Sequence, residues 1–198
     1  YVNQDVSKVI TGRLGPSALI GIQAVLIGLA IGLILGILAA WKHNSGIDYL
    51  TMILAVLGVS VPNFVAAALL QYYIGLKWGV LPVGFWTGWN CSVLPSIALS
   101  FSATAMVARF MRTEMLDVLD QDYIVTARAK GLSQMKVLMR HAVRNSILPV
   151  VTILGPIVVN LMTGSLAVEN IFSIPGIGSL FVDCIKANDY PVIMGITI

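Results

Sequence analysis

Four long intervals of this chain, 14–41, 49–76, 78–108 and 145–168, contain no Asp, Glu, Lys or Arg. Each is long enough to cross a bilayer, which takes about 20 consecutive apolar residues of helix. A soluble fold has no use for them. Of the 198 residues, 58% are hydrophobic and 11% charged, against about 25% charged in soluble domains, so lipid must cover much of the surface. Backbone in lipid has to satisfy its own hydrogen bonds, and the expectation is an all-α, polytopic transmembrane helical bundle.

The third interval needs trimming, because Gly79, Pro82, Gly84 and Gly88 with Trp78, Trp86 and Trp89 read as an interfacial loop. A helix opened by Pro95 remains. The expected spans are about 15–41, 49–75, 95–111 and 147–167, with the start of another at 191. The chain opens on Tyr1 with no signal peptide and stops at Ile198 inside the apolar segment that begins at Pro191. It is expected to be a fragment of a longer membrane protein, a single transmembrane domain over 1–198 with about four complete spans.

Orientation follows from the cations, since Lys- and Arg-rich loops stay in the cytoplasm. Arg109, Arg112, Arg128, Lys130, Lys136, Arg140 and Arg144 lie between the third and fourth spans, seven of the twelve basic residues. The 112–146 loop is therefore inside, and so is the 42–48 turn. The 77–94 and 168–190 loops, with one basic residue each, face outside. Such clustering without interleaved aromatics argues against nucleic acid as the partner of the +3 net charge. Cys91 and Cys184 fall in the outer loops, as a disulfide or as two thiols. Neither they nor His43 and His141 have metal-ligand spacing.

Gly28, Gly32 and Gly36 recur every four residues, the small-residue pattern that lets helix backbones approach closely in lipid. Pro62 beside Ser60 and Asn63, and Gly155–Pro156 before Asn160 and Thr163, put helix-disrupting and polar groups near mid-membrane. They must face protein or water. Ser60, Asn63, Asn160 and Thr163 are candidates to line a translocation path; the alternative is that they only kink and pack helices.

The inner loop is longer than a connection needs. Asp120 and Asp122 precede a run that ends in Arg128 and Lys130 with Gly131 beyond, the acids, cations and glycine of a short bounded helix. Ser133 is placed to cap a second helix. On it Met135, Leu138, Met139, Ala142 and Val143 form an apolar stripe and Lys136, Arg140 and Arg144 a basic one, aimed at anionic lipid or at an acidic partner.

The run from Asp122 to Ser133, DYIVTARAKGLS, followed by RHAVRNSILP from Arg140 to Pro149, resembles the cytoplasmic "EAA" loop of ABC-importer permeases, most closely the oligopeptide and dipeptide branch. VENIFSIPGIGSL from Val168, with NDYP from Asn188, is similar to the outer loop before that branch's last span. Val125 and Thr126 stand where the wider family often has Glu and Ala, and Arg144 where many members have Pro.

The resemblance implies a type I importer permease fold that normally has six spans. Asp122, Tyr123, Ala127, Arg128, Lys130, Gly131 and Leu132 would dock on an ATPase. The implied partners are membrane lipid, a second homologous permease, two ABC ATPase subunits, an extracytoplasmic solute-binding protein and a peptide substrate, in a bacterial cytoplasmic membrane. ATP and Mg would sit on the partner subunits. No cofactor is expected on this chain, which lacks a GxxxxGK[ST] phosphate loop and any Gly-Lys pair.

Related permeases for nickel, glutathione or other small solutes remain alternatives. So does a secondary transporter driven by an ion gradient, although the spans carry none of the ionisable coupling residues it would use. An enzyme would need clustered titratable groups at one depth, and the sequence shows no such cluster.

Overall fold

The computed structural model describes residues 5–198, so Tyr1 lies outside them, and among the described residues every regular element is helical. In order these are α1 (Val6–Trp41), α2 (Gly46–Ser60), α3 (Asn63–Leu70) with a π-helical continuation at Gln71–Lys77, and a 3-10 turn at Trp89–Ser92 leading into α4 (Val93–Leu119). There follow α5 (Asp122–Ala129), α6 (Gln134–Val137), a π turn at Leu138–Val143, α7 (Arg144–Met162), α8 (Leu166–Ile171), α9 (Ile177–Ala187) and α10 (Tyr190–Thr197). Val6–Trp41, Trp89–Leu119 and Gln134–Ile171 are long and apolar enough to cross a membrane, and a fourth span exists if the pair broken at Val61–Pro62 counts as one.

Several bounds differ from the sequence reading. The second span is not continuous: Pro62 has no N–H to give and disfavours helical backbone at Val61, so α2 stops at Ser60 and α3 starts afresh. The third helix begins at Val93, not Pro95, and runs past 111 to Leu119, because charged residues end a lipid-compatible stretch without ending a helix. The helix after Ser133 is not separate from the fourth span. It runs through the π turn straight into α7.

The chain forms two compact units. One takes in 28–60 and 101–156, and so holds both loops assigned to the cytoplasm. In it the glycine seam of α1 lies on α4. A Cβ at Gly28 would come 2.7 Å from Ala103 Cβ, one at Gly32 2.7 Å from Val107 Cβ, and one at Gly36 2.6 Å from the Ala108 carbonyl. The seam is helix packing, as expected from its spacing. Below it Ala40, Met111, Met115, Leu138, Ala142 and Val150 form the core.

A buried face runs from α6 through the π turn into α7. Val137, Leu138 and Ala142 are buried, while Met135 and Met139 are 50% and 53% exposed. Of the apolar stripe expected from the spacing, Leu138 and Ala142 are buried and Val143 is half-buried, while Met135 and Met139 are not covered.

The other unit takes in the residues up to Ile27 with 61–100 and 157–198, and holds both loops assigned outside. Here Gly21 meets the Leu161 carbonyl, and Leu180, Cys184 and Val192 pack with Val6, Val9, Ile193 and Ile196. Cys91 and Cys184 are separate, buried free thiols, and burial pushes the Cys184 thiol above its ordinary range. The aromatic loop is pinned by Gln71, whose amide donates to the Val83 and Ile171 carbonyls at 2.7 Å each.

Candidate functional site

The loop between α4 and α6 is a small knob built on α5. Its start is set by Gln121 in extended backbone, with Asp122 in the first turn, where a carboxylate suits the helix dipole. Its end is a Schellman motif: Gly131 N–H donates to the Arg128 carbonyl at 2.9 Å and Leu132 N–H to the Ala127 carbonyl at 3.4 Å. Gly131 has φ +76°, a left-handed conformation that glycine adopts without strain. The hydrophobic contact that accompanies such caps is present, since Leu132 packs with Ile124, Ala127 and Val137. Burying Ile124 completely contributes roughly 2 kcal/mol to holding the knob down.

These contacts sort the seven candidate residues. Asp122, Tyr123, Arg128, Lys130 and Gly131 are exposed; Ala127 is buried and Leu132 half-buried, so those two seat the knob and do not present a surface. Tyr123 is also tied back, its hydroxyl accepting from Asn145 Nδ2 at 2.8 Å. The sequence reading missed Val125, which is 59% exposed among the polar residues. Ser133 occupies the N-cap position of α6 but makes no side-chain cap bond.

Above the knob, in the same unit, a buried carboxylate joins α2 to α4. Asp48 accepts Arg112 Nε–H at 2.6 Å and Nη2–H at 2.8 Å, the two-pronged geometry that makes guanidinium–carboxylate pairs strong. It also accepts the Asn44 backbone N–H at 3.0 Å, and His43 Nδ1 lies 3.2 Å away. The only sequence signal was one acid at the mouth of an apolar interval.

In the other unit a second buried carboxylate is as fully used. Glu169 accepts from Ser17 Oγ at 2.7 Å and from the Ser179 backbone N–H at 3.0 Å, while Ser17 Oγ accepts the Ile177 N–H at 2.8 Å. Gly176, the N-cap of α9, has no side chain for this task, and Glu169 performs it from α8. A Cβ at Gly176 would overlap the Glu169 carboxylate and Ser17 Oγ.

Residues 32–198 match the family described as binding-protein-dependent transport system inner membrane component. The chain belongs to this family. It is 46% identical over all its 198 residues to the dipeptide transport system permease protein DppB of Lactococcus lactis subsp. cremoris (strain MG1363), of which it covers 65%. To the protein of the same name in Bacillus subtilis (strain 168) it is 48% identical over 181 residues, 90% of this chain and 58% of that one. The chain thus spans less than two thirds of the length of these relatives. A solved structure described as an amino acid ABC transporter with histidines has the same fold, with a TM-score of 0.73 over 96% of this chain and 85% of that one at 18% identity.

The helix α7 is far less covered than α4. Only 11% of the apolar window of Gln134–Ile171 is buried, against 67% for Trp89–Leu119. Thr152, Gly155 and Asn160 are exposed on α7, and Thr163 is exposed just past its end. Thr163 Oγ1 bonds the Asn160 carbonyl at 3.0 Å, which satisfies one polar group within the helix. Ser60 is exposed at the end of α2, and Asn63 is half-buried at the start of α3.

Proposed function

We propose that this chain is the permease subunit of an ATP-binding-cassette importer for dipeptides or oligopeptides, in a bacterial cytoplasmic membrane, with ATP hydrolysed on two separate subunits. Family membership and the names of its relatives support this reading. The observation that carries the coupling mechanism is the knob. Its apolar side is consumed in seating it, and its other side offers Asp122, Val125, Arg128 and Lys130 free to a partner.

The knob joins α4 through Asp120 and Gln121, and α7 through Gly131, the following turn and an unbroken helix. Closure of two ATPases on their nucleotide would displace α5, and both attached helices would tilt as levers, the rigid-body scheme of alternating access. Asn160 on α7 and Thr163 just past its end would then line the path together with a second permease subunit. Ser60 and Asn63 join it at the break between α2 and α3. An extracytoplasmic binding protein would deliver solute to the side of the 77–94 and 168–190 loops. The chain itself performs no chemistry.

Cysteine at Val125 or Arg128 should cross-link to a co-expressed ATPase subunit, and Arg128→Glu should separate ATP hydrolysis from uptake. No cross-link together with undisturbed coupling would defeat the docking assignment.

A further inference from the structure

We infer that the Asp48–Arg112 pair is a mechanical joint: it makes α2 and the 42–45 turn move with α4 when the knob is pushed. The inference rests on the importer reading above and adds positioning residues to it.

Three observations carry it. First, Arg112 lies on the part of α4 that leads to the knob, with residues 113–121 between it and α5. Any tilt imposed at α5 passes this guanidinium early. Second, Asp48 is 1% exposed and its carboxylate is held by donors from two elements. Arg112 supplies two donors at 2.6 and 2.8 Å from α4, and Asn44 supplies its N–H at 3.0 Å from the turn, with His43 Nδ1 3.2 Å from both the carboxylate and Arg112 Nη2. A forked pair fixes direction as well as distance, which one hydrogen bond does not.

Third, α2 is held along one narrow face, on which Asp48, Thr51 and Ala55 are buried. Tyr49, Leu50, Ile53, Leu54, Val56 and Leu57 are each about half exposed or more, and its close approach to α4 is at Gly58, where a Cβ would sit 3.1 Å from Ala105 Cβ. The joint and this glycine contact lie near opposite ends of the helix. A buried charge pair contributes weakly to net stability but resists separation, because pulling it apart strands a carboxylate out of water. That is a property of a linkage more than of a core.

The test uses the full transporter in proteoliposomes, with partner permease, ATPases and binding protein, and reads dipeptide uptake per ATP hydrolysed. Asp48→Asn and Arg112→Gln should each lower this ratio about tenfold, a common size for coupling between sites, while the assembled complex and its ATP hydrolysis persist. Where a single variant fails to assemble, Asp48→Cys with Arg112→Cys decides: bridging the two thiols with a short bifunctional reagent should restore the ratio, and cleaving the bridge should abolish it again. Unchanged uptake per ATP in both single variants, or no recovery on bridging, overturns the joint. A wild-type complex that hydrolyses ATP without importing a dipeptide overturns the importer reading, and the joint with it. A wild type that imports normally beside indifferent Asp48 and Arg112 variants removes the joint alone.

Discussion

The knob around α5 and the junction around Glu169 are both short helices in loops, yet they treat polar groups in opposite ways. At the junction a carboxylate is wholly buried, and Ser17 Oγ and the Ser179 N–H are spent on it. At the knob Arg128 and Lys130 are exposed, and the buried residues are Ile124 and Ala127. Polar groups that are satisfied internally hold a structure; polar groups left in water are available to something else. A substitution at the first place should therefore register as instability, and one at the second as lost coupling in a protein that still folds.

The largest effect is expected at the junction. Glu169→Ala would leave Ser17 and the α9 N–H groups without their acceptor and open a cavity, at a cost of about 4 kcal/mol. Thermal unfolding in detergent measures it, and a shift no larger than that of a surface alanine would break the contrast. Next comes the seam of α1, where Gly32→Val places new atoms against Val107. Overpacking of this kind costs about 2 kcal/mol, visible as reduced thermal stability and yield.

At the knob, Gly131→Pro and Arg128→Glu should lower uptake per ATP about tenfold. The charge reversal should leave the melting temperature where it was. Proline is locked near φ −65°, against the +76° found at Gly131, so its variant should also lose the order of α5. Hydrogen exchange across 122–132 would separate the two. The smallest effect is expected from Tyr123→Phe, which removes one exposed bond to Asn145 and should cost about 0.5 kcal/mol. A large loss of transport there would mean that the tie fixes the docking face.

Much of this architecture was legible in the sequence, because lipid solubility and loop charge are written in single residues. The charge-free intervals 14–41 and 145–168 fall within helices long and apolar enough to cross a membrane, and acids, cations and Gly131 marked α5 to within a residue of Asp122–Ala129. What stayed hidden depends on partners. Asp48 and Glu169 read as loop markers because a lone acid is ordinarily solvated, and the side chains of Arg112 and Ser17 that donate to them lie 64 and 152 residues away in sequence. Arg112, Glu114 and Asp117 shortened the apparent third helix, although α4 carries them on exposed or half-buried turns. Among the candidate docking residues, Ala127 could not be told from its exposed neighbours until the cluster beneath it was known.

The widened turn at Leu138–Val143 has a practical consequence for anyone exchanging segments between relatives. It inserts the equivalent of one residue of rotation, about 100° on an ordinary helix, ahead of a membrane-crossing stretch. A chimera cut upstream in one parent and downstream in the other would keep its reading frame and its hydropathy, yet could turn every lipid-facing side chain of α7 toward the wrong neighbour. Splice points belong on one side of that turn in both parents.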